Sequence, residues 1–167
     1  MPVRWLRFIT GAGLAVMLVV VSHFGLSWVG LAPTAEAQPA LVLRRVEPVA
    51  IATQLHARYP DIPLENTYLR LSDGTPHPDS TLVSRLIRYH LFVKDRPANF
   101  RLDWKLTLAD YLGAFQPIEP QFYPDQDELT ESPMTGDMAA VARMSRNQRN
   151  QLVQGLVDVF TGQTPAP

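Results

Sequence analysis

Phe100-Arg101-Leu102-Asp103-Trp104-Lys105-Leu106-Thr107-Leu108 decides the architecture, because its two possible periods lead to different folds. Phe100, Leu102, Trp104, Leu106 and Leu108 alternate with Arg101, Asp103, Lys105 and Thr107, the period-two pattern of a half-buried strand. A helical turn would then follow, with Thr107 as N-cap, Asp110 three residues on as a capping-box variant, and Gly113 at the C-terminal position. The same residues also allow one helix from about 102 to 112. Strand followed by helical turn is the preferred reading, and it leaves room for one short β-hairpin at most.

Outward from this stretch the signals are helical. Leu82, Val83, Leu86, Ile87, His90, Leu91 and Val93 form an apolar stripe over residues 81 to 94, with Asp79 or Ser80 as cap and Ser84, Arg85 and Arg88 as the wet face. Asp95-Arg96-Pro97 ends that helix. An earlier helix begins at Pro48, a residue suited to the first helical position, and stops at Tyr59 before Pro60. Val49, Ala52, Leu55, His56 and Tyr59 share one of its faces. Leu69-Arg70-Leu71 suggests a short extended piece, and the Asp-Gly step and prolines of residues 72–79 a loop. Residues 114–136 read as a long irregular segment with an acidic run, Asp125, Asp127, Glu128 and Glu131. Asp137 starts a short helix to Met144; Ser145, with Gln148 completing a capping box, starts the last one. Its apolar face is Leu152, Val153, Leu156, Val157 and Phe160, and Gly162 ends it.

The expected fold is therefore mainly α: one small domain, residues 48–162, of four to five short helices joined by Pro-rich irregular connectors. Residues 38–47 read as a linker and 163–167 as a disordered tail.

The N-terminus points to export. A basic start with Arg4 and Arg7 is followed by residues 8–32, which hold no Asp, Glu, Lys or Arg, and then by Ala35-Glu36-Ala37. Basic region, apolar run and A-x-A exit, in that order, make residues 1–37 a secretory signal with cleavage after Ala37. The run exceeds the usual ~7–15 residues of a signal core and approaches the ~20 that span a bilayer. An uncleaved anchor, touching the membrane through residues 8–32, is the alternative.

Composition excludes several chemistries. The chain has no cysteine, which removes disulfides, Fe–S clusters, thiolate zinc sites and a lipidated-cysteine anchor. After residue 37 there are 13 basic and 15 acidic residues, with no basic stripe to hold nucleic acid. His56, His77 and His90 follow no metal-binding spacing and are expected to be core or surface residues. Asp125-x-Asp127 opens like a calcium loop, but Leu129 and Thr130 fill the next ligand and glycine positions, so a solvated acidic loop is expected. No serine lies in a G-x-S-x-G turn and no phosphate-binding glycine motif occurs after the signal segment. No catalytic residue, metal site or cofactor is thus expected.

The densest mixture of charge and aromatics is residues 95–113. Arg101, Trp104 and Tyr111 are the candidate binding residues there, since such side chains anchor protein interfaces. The competing reading of this stretch is a core strand and helix with ion pairs on the wet side. Arg85-Leu-Ile-Arg88-Tyr-His90, with the run from Arg101 to Gly113, resembles small exported proteins of cyanobacteria over about half of the mature chain. The resemblance implies a periplasmic or thylakoid-lumenal location and no activity. Together these features lead to an exported, non-catalytic accessory or assembly protein that binds another protein at the membrane surface. A small exported hydrolase or ligand-binding protein is the alternative.

Overall fold

Thr81 opens the central helix. Its hydroxyl accepts from the Ser84 N–H at 3.2 Å, and the Ser84 hydroxyl accepts from the Thr81 N–H at 3.0 Å, a reciprocal cap that satisfies two otherwise orphaned donors. In the computed structural model, which describes residues 46–162, this cap begins α2 (Leu82–Arg88), which runs directly into a π-helical turn, Tyr89–Val93. The remaining helices are α1 (Pro48–Arg58), α3 (Arg101–Tyr111), α4 (Met134–Arg143) and α5 (Arg146–Thr161). The signal or anchor segment, the Ala35-x-Ala37 site, most of the linker and the 163–167 tail lie outside the described residues.

The fold is mainly α, as expected from sequence. Strand content among the described residues is two isolated antiparallel bridges, Leu69 with Pro76 and Arg70 with Leu129. The first closes the loop at residues 70–75, where the Arg70 N–H donates to the Thr75 carbonyl at 2.8 Å. α1 packs on α2 and α5, and α3 on α4 and α5. The core between them holds Leu55, Leu82, Val83, Leu86, Ile87, Trp104, Val141, Leu152 and Leu156. Among the described residues no helix is long and apolar enough to cross a membrane.

Residues 101–111 are helical, which corrects the strand reading. Trp104, Thr107, Leu108, Asp110 and Tyr111 are buried, the i, i+3, i+4, i+6, i+7 spacing of one helix face, while Phe100 and Leu102 are exposed. Thr107 is accordingly a buried interior residue and not an N-cap. Gly113 does lie just past the helix end with φ +66°, a conformation natural to glycine.

α2 has no wet face over its length. Ser84 and Arg85 are fully buried and only Arg88 is half-exposed. The π turn extends this, because its 2.9 Å bond from the Lys94 N–H to the Tyr89 carbonyl spans one residue more than an α turn. That wider turn places the consecutive residues Tyr89 and His90 both inside. α4 begins at Met134, three residues ahead of Asp137, so Asp137 lies within its first turn and is buried. α5 follows its sequence signals: Ser145 and Gln148 form the capping box at 3.2 and 2.8 Å, and Gly162 ends the helix at φ +68°.

Candidate functional site

Arg85 has no exposed surface, so its charge must be met inside the protein. Its Nε and Nη2 donate to the two carboxylate oxygens of Asp137 at 2.7 Å each, a bidentate pair joining α2 to α4. Nη2 also donates to the Glu65 carbonyl at 2.6 Å, and Nη1 to the carbonyl and hydroxyl of Ser80. The Ser80 hydroxyl in turn donates to Asp125, whose other oxygen pairs with Arg88. Asp125 is therefore a buried, committed carboxylate, which corrects the expectation of a solvated acidic loop at that position.

The Asp137 oxygen that meets Arg85 Nε also accepts from the Tyr123 hydroxyl at 2.5 Å, and the Tyr123 and Tyr111 hydroxyls are hydrogen-bonded at 2.9 Å. A phenol has one proton. With that of Tyr123 on the carboxylate, Tyr111 donates to Tyr123. Burial raises both phenols well above their ordinary pKa, so they stay protonated. Burial also raises the Asp137 carboxyl, against which the Arg85 guanidinium acts. Burial disfavours the Arg85 charge, but its bond and attraction to Asp137 prevail and leave it raised, so it remains a cation.

A second cluster adjoins the first where Tyr89 meets the Tyr111 ring edge-on at 5.6 Å. Asp110 accepts from Arg96 at 2.7 Å, from the Gln116 N–H at 3.0 Å and from the Tyr89 hydroxyl at 3.4 Å. Arg96 also donates to the Thr107 hydroxyl at 2.8 Å. His90 lies 2.8 Å from that hydroxyl through Nδ1 and 3.2 Å from the Pro97 carbonyl through Nε2. A carbonyl can only accept, which assigns the proton to Nε2 and makes Nδ1 the acceptor from Thr107. Burial pushes His90 down to about 4, hence neutral, and its ring stacks on Trp104 at 3.6 Å and 8°. Trp104 Nε1 donates to the Ala98 carbonyl at 2.7 Å. Chemically, this interior fastens α2, α3, α4 and three connectors together; its polar atoms spend their bonding capacity on one another.

Of the candidate binding residues, Trp104 and Tyr111 are 0% and 1% exposed. They belong to this interior, which corrects their assignment to a surface patch. Arg101 alone is exposed, and it donates to Gln154 of α5 at 3.2 Å. The histidines do not converge: His77 bonds Arg70 at 3.2 Å, and His56 lies on α1 with both ring nitrogens buried and unpartnered beside a cavity of about 170 Å³. Burial lowers the His56 pKa. Among the described residues no group of three or more His, Asp or Glu is placed to hold a metal.

Large apolar side chains are exposed at several places, among them Leu71, Phe115 and Phe122. Phe92, Phe100 and Leu102 are 66%, 55% and 67% exposed. Phe92 belongs to the π turn and Phe100 and Leu102 to the start of α3, two segments tied to each other and to their connector by the His90–Thr107, His90–Pro97 and Trp104–Ala98 bonds. Along α3 the outward face continues through Lys105, Ala109 and Leu112, spaced from Leu102 as i+3, i+7 and i+10. Between α3 and α5 lies a groove of about 200 Å³ with Leu108, Ala109, Leu112 and Val153 as floor and Lys105, Arg146, Arg149 and Asn150 at its rim. Sequence reasoning missed these residues because the strand period turned Leu102 and Leu106 inward with Trp104. A helical period places Leu102 and Lys105 on the face opposite. No family model, no curated protein and no solved structure matches the chain.

Proposed function

We propose that this protein is a non-catalytic docking factor, exported from the cytoplasm, that binds another protein beside a membrane. The observation that carries the docking reading is the exposure of Phe92, Phe100 and Leu102 on a rigid frame. Full burial of such a side chain contributes roughly 1.5–3 kcal/mol, and a partner that covers the exposed part recovers a share of it. A frame fixed by the His90–Thr107 and Trp104–Ala98 bonds lowers the backbone ordering cost of presenting them. The export half of the reading is supported by the basic start, the uncharged run of residues 8–32 and Ala35-x-Ala37.

The test is capture of partners from membranes of the native cells with the full chain, wild type against a Phe92→Ser/Leu102→Ser variant. Both substituted positions are exposed, so circular dichroism should show an unchanged fold. Loss of specific partners with the fold intact is the expected result; a folded variant that keeps every wild-type partner overturns the docking reading. N-terminal sequencing of the same material should find Gln38 first if export proceeds with cleavage.

A further inference from the structure

We infer that the groove between α3 and α5 receives an acidic amphipathic helix of the protein partner. This rests on the docking reading and names the chemistry of what docks. The groove has an apolar floor, on which Ala109 supplies a small side chain that lets a neighbouring helix approach closely. Its rim is cationic. Lys105 and Arg146 form no side-chain hydrogen bond or ion pair among the described residues, and Arg149 donates to the Val141 and Met144 carbonyls at 3.3 and 2.5 Å while keeping its charge beside the groove.

Of the three carboxylates on these helices, Asp110 and Asp158 are buried, the first held by Arg96 and the second near Arg58 and bonded to Gln154. Asp103, in the first turn of α3, is half-exposed but does not line the groove. No described carboxylate lines the groove. The whole chain carries a net charge of −1, so this is a local concentration of cations on an otherwise acidic protein. The chain's own apolar stretch Leu41-Val42-Leu43 is a poor occupant, since Arg44 and Arg45 follow it and would meet like charge.

The shape selects a helix over a lipid surface. α3 has 11 residues, a length of roughly 16 Å, or three turns. A helix laid beside it sets apolar residues at i, i+3 or i+4, and i+7 along Leu112 and Ala109, with flanking carboxylates toward Lys105 on one side and Arg146 on the other. A flat bilayer does not enter a concave seam between two helices.

The experiment measures anisotropy of a labelled peptide of about four turns, with leucines at those spacings and glutamates elsewhere, against the full chain in mild detergent. The control peptide carries lysine in place of glutamate. Expected are saturable binding of the acidic peptide, weaker binding as salt rises, and a loss of about tenfold in Lys105→Glu/Arg146→Glu. Ala109→Phe, which fills the groove without changing charge, should weaken binding similarly and serves if the charge reversal impairs folding. Equal binding of the lysine peptide, or unchanged affinity in a folded variant, overturns the inference. So does full displacement by short-chain phosphatidylglycerol, which assigns the groove to lipid, or self-association of the full chain abolished by these same variants, which assigns it to a second copy. If capture remains sensitive to Phe92→Ser/Leu102→Ser while the peptide arm fails, only this inference falls.

Discussion

Arg85 holds its charge with no water, and the consequence at the scale of one residue is asymmetric. A buried ion pair is not a large net gain, because desolvation offsets most of the attraction; removing one partner leaves the other charged and alone. Arg85→Met or Asp137→Leu should each cost about 3–5 kcal/mol in a urea titration, and the double variant should recover most of that loss. A single variant costing under ~1 kcal/mol would show that water reaches the pair. The sequence could not reveal this pair. Arg85 stands between Ser84 and Arg88 and so reads as part of a wet stripe, and the carboxylate that explains it is 52 residues further on. Trp104 and Tyr111 were misplaced for a related reason. Aromatics with polar handles suit an interface, but the Ala98 carbonyl and the Tyr123 hydroxyl answer those handles indoors.

Among the elements, the α1–α5 crossing depends on a missing side chain. A Cβ on Gly155 would lie 2.7 Å from Tyr59 Cε2 and 3.2 Å from Leu55 Cδ2, so the two helices approach only because none is there. Alanine would gain nearly 1 kcal/mol of helix propensity, yet the overlap with Tyr59 and the buried Leu55 should outweigh it. Gly155→Ala is expected to lose about 1–3 kcal/mol by chemical denaturation; a gain would show that α1 gives way freely. Signals that operate within a few residues were readable: Pro48 at the start of α1, the Ser145 and Gln148 box, and the glycines after α3 and α5. The period of α3 was not, because Thr107 and Asp110 lie on its buried face to serve His90 and Arg96. Polar residues on an inward face erase the helical pattern and leave the alternation of their neighbours. The π turn was invisible too, since nothing local to Tyr89 and His90 announces that both turn inward.

The molecule as a whole should be sensitive to acid through its histidines. His90 falls from an ordinary 6.5 to about 4, and burial lowers His56 as well. The unfolded chain therefore binds these protons at a higher pH than the folded one. The His90 contribution is complete above about pH 7 and is lost as pH falls from 6.5 toward 4, up to roughly 3 kcal/mol, and His56 acts in the same direction. Urea titrations across that range should show the decline, and the NMR titration of His90 should have its midpoint near 4; a midpoint near 6.5 would place the ring in water. At this scale the helical class and the proline-stiffened connectors were legible, because spacing and punctuation fix them. The inward path of the connector between α3 and α4 was not, since its composition is that of a surface loop while Tyr123, Asp125 and Leu129 are buried. That path makes the protein divisible. Residues 112–117 are all exposed, so a protease could cut there, and the two fragments would part Arg85 from Asp137 and Tyr111 from Tyr123. Neither piece can answer its own buried groups, and each carries what the other lacks. A nick at that point yields a two-piece protein held by complementation, not a severed one.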